Sequence, residues 1–301
     1  MQRRTLVLTL TLGSIVFAAC GSDSNSAVTT TAATTTTAAP ATTAAAQTAA
    51  ACAKGKTLTA DMLTIATGNP AYPPYVLDDK PESGQGFEAA LALAVAKDMG
   101  FEGAAVKWVR TDFDSAVAGT ADTFDFNLQQ FTINADREKV VSFSTPYYTA
   151  NQAVLGYATG AGASVKTLAD LKKLKLGAAA GTTSLQFITD IIKPDVEPFA
   201  FNSNADAKTA LDNKQIDAIV TDLPTALYIS AVEISGTKVF GQIPASAGGA
   251  GDSWGLLFKK DNPLAECANL ALADLTKSGD LGKITQQWMA DYTEAPELSV
   301  G

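Results

Sequence analysis

Residues 131–148 read FTINADREKVVSFSTPYY, and Arg137 within that run follows Thr132 and Asn134 at spacings of five and three. A planar guanidinium in a turn after a strand is suited to gripping a carboxylate through two parallel hydrogen bonds, and polar side chains just upstream can hold the rest of a small ligand. The plainer alternative is a solvated surface arginine, because most charged side chains are simply exposed. A second feature has the same electrostatic sense. Gly181, Thr182, Thr183 and Ser184 stand between the strand-like KLGAAA and the helix-like SLQFITDII. There the free amides and positive end of a helix attract an anion, although the same residues also serve as an ordinary helix cap. A phosphate loop is excluded, since the glycine spacing is wrong and the lysine is absent.

Composition removes other chemistries. The chain contains no histidine, so Ser-His-Asp and Cys-His nucleophile systems and His-rich zinc sites have no residue to use. No metal site, cofactor or catalytic residue is expected. The formal charge of −9 becomes more negative if Arg3 and Arg4 leave with the N-terminal leader, and no basic patch of the kind nucleic acid demands is visible.

The elements that must position these residues alternate. LTIATG (63–68), AVKWVR (105–110), FDFNLQQF (124–131), KLGAAA (175–180) and IDAIVTD (216–222) read as strands. Between them GFEAALALAVAKDMG (86–100), SLQFITDII (184–192) and PTALYISAVEIS (224–235) read as helices, with a further helix starting at Ser203 and Asp206. This predicts α/β layers in which each sheet is mainly parallel and flanked by helices. Two extended stretches, 145–157 and 241–260, interrupt the rhythm and read as crossings between two lobes, hence a hinge. On that reading 56–149 and 248–296 make a discontinuous first lobe, 150–247 the second, and 297–301 a tail. The segment from Asn262 to Tyr292 reads as two helices broken at Ser278 and Gly279, packed on the first lobe.

The N-terminal end is different in kind. Residues 1–20 carry Arg3 and Arg4, a short apolar core and small residues before Cys20, which is the layout of an export signal. Residues 21–55 are dominated by Thr, Ala and Ser and read as a disordered tether. Cys52 and Cys267 remain as an even pair in an exported chain, which suggests a disulfide, with two separate buried thiols as the alternative.

The landmarks GNPAYPPY, GFE, TINADR, FSTPYY, GAAAGTTS, IDAIVTD and WGLLFKKDNPL occur in an order that resembles solute-binding protein family 3, the extracytoplasmic amino-acid-binding proteins of ABC importers. Phe17-Ala18-Ala19-Cys20 likewise resembles a bacterial lipobox, with Phe17 where Leu is commoner; an ordinary secretory signal with a chance cysteine is the other reading. The resemblance implies a type II periplasmic binding protein, a two-lobed flytrap with two crossover strands. Cys20 would be acylated and hold the protein outside the cytoplasm at the cell membrane, and the partners would be a free amino acid and a membrane permease, with the protein itself a monomer.

For the site, the resemblance implies Arg137, Thr182 and Thr183 at the ligand carboxylate, and Asp222, the Thr132 hydroxyl and the Gln130 carbonyl at its ammonium. Asp222 closes a strand just before Pro224, where an acid is equally suited to capping a helix. Tyr72, Tyr75 and Phe113 are the expected aromatic walls, while Trp254 is assigned to core or hinge. The side-chain subsite would be Asn69, Gln129, Ala179 and Thr221, without a charge among them, so a neutral or polar side chain is expected. Departures from the family pattern include Asn134 for Thr, Gln130 for a small residue and Ala90 for an acid, and the glutamines are expected to reshape the pocket floor. A ligand sensor for a membrane receptor, or a cyclohexadienyl-dehydratase-like enzyme using Glu88, Asp112 or Asp222 as proton donor, are the competing readings.

Overall fold

The computed structural model describes residues 47–247 and 251–300. The leader, Cys20, most of the tether and the expected lobe boundary at 248 lie outside the described residues.

A short helix α1 (Ala49–Ala53) precedes strand β1 (Leu63–Thr67), whose five residues are all buried, as a continuous apolar run in a central strand requires. Helix α2 (Phe87–Asp98) leads to β2 (Val106–Arg110), and α3 (Phe113–Val117) to β3 (Phe126–Asn127) and β4 (Val141–Phe143). The chain then leaves this sheet through β5 (Tyr148–Ala150) and continues as β6 (Gln152–Tyr157), β7 (Leu176–Ala179), α4 (Thr183–Phe187), β8 (Phe199–Phe201) and α5 (Asn204–Asp212). After β9 (Ala218–Asp222), α6 (Leu223–Tyr228) and β10 (Thr237–Gln242), it returns through β11 (Asp252–Trp254) to β12 (Leu257–Lys259). It closes on α7 (Leu264–Ser278) and α8 (Asp280–Met289), separated by Gly279 in the left-handed conformation that stops a helix.

Two five-stranded sheets result, ordered β2-β1-β3-β12-β4 and β10-β6-β9-β7-β8, joined by the antiparallel pair β5–β11. Both predicted crossings are therefore present and lie side by side. The sheets are mixed, however, where mainly parallel ones were expected. In each, two pairings are parallel and two antiparallel, because the crossings deliver β12 to the first sheet and β6 to the second running against their neighbours. β6 shows the side-chain alternation of a strand covered on both faces: Ala153 and Leu155 face one apolar cluster and Val154 the other.

Cys52 and Cys267 are joined in a disulfide between α1 and α7, with their Cα atoms 5.3 Å apart. The tether consequently ends earlier than the predicted residue 55. Ala49, Cys52 and Ala53 are buried in the first lobe's core, and Thr48 caps their helix. Within the predicted tail, residues 297–299 pack on the second lobe. Leu298 is 2 % exposed within the second lobe's core, Glu297 bridges to Gln242, and Ser299 bridges to Thr167, so the chain end crosses from the first lobe to the second.

Candidate functional site

Between the sheets, beyond the C-terminal ends of β1, β3, β7 and β9, lies a cavity of about 100 Å³. All thirteen residues expected to meet the ligand line it: Asn69, Tyr72, Tyr75, Phe113, Gln129, Gln130, Thr132, Arg137, Ala179, Thr182, Thr183, Thr221 and Asp222. Strand alternation and the strand-end turns bring together residues up to 153 positions apart in the chain.

Arg137 opens a tight turn between β3 and β4, where its backbone N–H donates to Asn134 Oδ1 at 2.9 Å. Asn134 was expected to hold ligand; it instead fixes this turn. Arg137 is 8 % exposed, and its guanidinium lies 5.4 Å over the Phe113 ring and donates to Thr132 O (2.8 Å) and to Gly181 O of the second lobe (2.9 Å). Two of its five N–H groups are so engaged, and among the described residues no carboxylate lies within ion-pair distance. Burial lowers its pKa to about 10, partly offset by the field of Asp252. A buried cation with free donors and no counter-ion is the electrostatic condition of an anion site.

Thr182 caps α4, accepting from Leu185 N–H and donating to Ala179 O, which engages its hydroxyl within the lobe. The Thr183 hydroxyl donates to Asp252 Oδ2 (2.7 Å) and accepts from Gln152 Nε2 (3.1 Å). Both hydroxyls are thus engaged within the protein, which leaves the backbone at the helix entrance as the part of these two residues open to an anion.

Asp222 has the capping role weighed from sequence and is also placed at the cavity. It caps α6 through Thr225 N–H (2.8 Å). Its second oxygen accepts from Thr225 Oγ1 (2.9 Å), and the Tyr75 hydroxyl donates to its first. Burial raises its pKa, while the bonds from Tyr75 and Thr225 favour the carboxylate and oppose that rise.

The aromatic residues divide. Phe113 stacks on Phe131 at 5.0 Å and seats the arginine. Tyr72 directs its hydroxyl to Glu233 and its ring edge to Tyr228. Tyr75 lines the cavity and is otherwise fully buried, its ring T-shaped against Trp254 and its hydroxyl on Asp222. Trp254, assigned to core or hinge, is 1 % exposed on β11 and also lines the cavity.

The two glutamines do not reshape the floor with free amides. Gln129 Nε2 donates to Thr111 Oγ1 (2.8 Å) and Asn127 Oδ1 (3.1 Å). Gln130, at φ +51°, donates its backbone N–H and its amide to Glu88 at 2.8 and 2.6 Å. Glu88 is the residue the sequence undervalued. It is 2 % exposed, also accepts from the Tyr147 hydroxyl, and burial lifts its pKa to about 7. Gln152 and Asp252 were missed as well; the available signal was a polar side chain at the same point of each crossing segment.

The model of the bacterial extracellular solute-binding proteins, family 3, matches residues 63–291. The chain belongs to that family. This family-3 protein is similar to ABC transporter arginine-binding protein 1 of Escherichia coli strain K12, 28 % identical over 72 % of this chain and 86 % of the relative. It is also similar to the ABC transporter glutamine-binding protein GlnH of Bacillus subtilis strain 168, 30 % identical over 70 % of this chain and 76 % of the relative. Among solved structures, an ancestral arginine-binding protein bound to glutamine aligns with a TM-score of 0.66 and 31 % identity, over 76 % of this family-3 chain and 98 % of the other.

Proposed function

We propose that this protein captures a free L-amino acid between its lobes and presents the closed form to the membrane permease of an ABC importer, held outside the cytoplasm by an acylated Cys20. One observation carries the reading. Arg137, buried and without a carboxylate partner among the described residues, and an acid, Asp222, line one cavity, which suits the paired charges of a zwitterion. The ligand carboxylate takes the free N–H groups of Arg137 and the backbone at Thr182 and Thr183. Its ammonium meets Asp222, the Thr132 hydroxyl and the Gln130 carbonyl, with Tyr75 yielding its bond to the acid. The names of the E. coli and B. subtilis relatives support an amino acid as the ligand. Asn69, Gln129, Ala179 and Thr221 offer a side chain no charge, which supports a neutral or polar one.

Calorimetry across the twenty amino acids tests this. A neutral polar amino acid should bind tightly, and Arg137→Ala should weaken it about 30-fold to several thousand-fold, the cost of leaving one member of a buried charge pair alone. Normal binding by that variant overturns the site, and tight binding of lysine or glutamate alone overturns the neutral side chain. For the anchor, the intact protein should partition into detergent and its Cys20→Ser variant should not. An enzymatic reading draws on Glu88, whose pKa near 7 suits proton transfer, yet its oxygens are held by Gln130 and Tyr147. Turnover of prephenate or arogenate would favour that reading over transport.

A further inference from the structure

The chain end does more than cover a surface. After α8 it runs past the mouth of the cleft, where the Tyr292 ring meets Tyr228 at 6.1 Å. Tyr228 in turn holds the edge of Tyr72 at 6.4 Å, and Tyr72 is a cavity wall whose hydroxyl reaches Glu233, itself paired with Lys208 at 3.2 Å. Beyond Tyr292 the strand-like stretch 295–299 is pinned to the second lobe. Gln242 N–H donates to Pro296 O (2.8 Å) and Leu298 N–H to Gln242 O (2.9 Å), while Leu168 N–H donates to Ser299 O (3.0 Å) and Ser299 N–H to Lys166 O (3.1 Å). The Gln242 side chain completes a three-way junction, donating to Ala295 O (2.7 Å) and accepting from Asn151 of the first crossing (2.6 Å). Gly241 leaves the room for this: a Cβ there would come within 2.8 Å of Pro296 O and 2.9 Å of Leu298 Cγ. The segment also covers β10, the edge strand of the second sheet, which would otherwise stand open.

We propose that residues 293–299 are a third connection between the lobes, a strap that restrains opening and positions the Tyr72 wall through Tyr292 and Tyr228. Two crossings side by side leave the lobes free to swing about one line. A third attachment at the rim restrains that swing, so part of the closure free energy is built into the chain. The strap acts on closure whether or not an amino acid is the ligand; only its effect on release rests on that reading.

The test uses spin labels on non-natural side chains at the exposed positions Glu266 of the first lobe and Asp190 of the second, in the full-length protein. Without added ligand, Gly241→Val and Tyr292→Ala should each shift the distance distribution to longer and broader values, while Tyr292→Phe, which keeps the ring contact, should match the parent. With L-glutamine as the probe, dissociation from both opening variants should be about three- to tenfold faster, the loss of a contact or hydrogen bond. Unchanged distances in both variants overturn the strap, including when the melting temperature alone falls. If L-glutamine does not bind, the amino-acid reading is challenged while the ligand-free distances still decide the strap. Gly241→Val is the variant at risk of misfolding; Tyr292→Ala, at a partly exposed position, then decides alone.

Discussion

Arg137 and Asp222 show how differently two ionisable side chains can be legible. The arginine stood out because its run carries spaced polar residues. What the run concealed is that Thr132 and Gly181 supply carbonyls to it, one from each lobe. Arg137→Lys keeps the charge but loses the fork, so calorimetry should show amino-acid binding weakened at least about tenfold. In the proposed site Asp222 would take an ammonium only as carboxylate. Since burial raises its pKa, affinity should fall on acidification as that raised pKa is crossed, and Asp222→Asn should bind weakly at every pH. Glu88 bears on stability. Its folded pKa is raised from 4.5 to about 7, so the folded chain keeps a proton that the unfolded chain releases. That stabilisation is complete below about pH 4.5 and is lost as pH rises through 7. Urea midpoints should therefore decline from pH 5 to pH 8 more in the parent than in Glu88→Gln. Nothing in the sequence marks Glu88 for this, because its pKa depends on the core that closes over it and on Gln130 and Tyr147, neither a neighbour in sequence.

Among the elements, the turn between β1 and α2 controls the site most directly, since it carries Asn69, Tyr72 and Tyr75. Gly86 ends that turn at φ +107°, and a Cβ there would lie 2.4 Å from Tyr75 O. Gly86→Ala should destabilise the fold by about 2 kcal/mol or more, through backbone strain and that clash, and should weaken ligand binding by moving Tyr75; denaturant titration and calorimetry read the two effects. Periodicity located most helices and strands closely, with β9 found at 218–222 within the predicted 216–222. It overextended β3, predicted over 124–131 and present only as Phe126–Asn127. Beyond Asn127 the chain turns to bring Gln129 and Gln130 to the cavity, and hydrogen bonds to Thr111 and Glu88 hold that departure. Helix α1 was read as tether because Thr and Ala composition gives no apolar stripe. It is a helix because Cys52 fastens it to α7 and its alanines fit the core. Removing the bridge, which spans 215 positions, should cost about 2–5 kcal/mol, and intact mass before and after reduction and alkylation should account for one disulfide.

At the scale of the molecule, the lobes are coupled by contacts made by protein alone, among them Arg137 to Gly181, Tyr75 to Asp222, Tyr72 to Glu233 and Thr183 to Asp252. A ligand that binds only the closed, folded form should raise the melting temperature, and at a hundredfold excess over Kd it contributes about 2.7 kcal/mol. The amino-acid sequence by itself determined the α/β layers, the paired crossings, the disulfide partners and the set of residues that meet at the cavity. The first two follow from side-chain periodicity and its interruptions, the third from an even pair of cysteines in an exported chain, and the last from the resemblance of ordered motifs to a known family. Only the tertiary structure decided the mixed strand directions, the partners that occupy Asp222, Thr182 and the two glutamines, the raised pKa of Glu88 and the course of residues 293–299 onto the second lobe. Each of these is set by which distant groups come within hydrogen-bonding or packing distance, and no spacing along the chain encodes that.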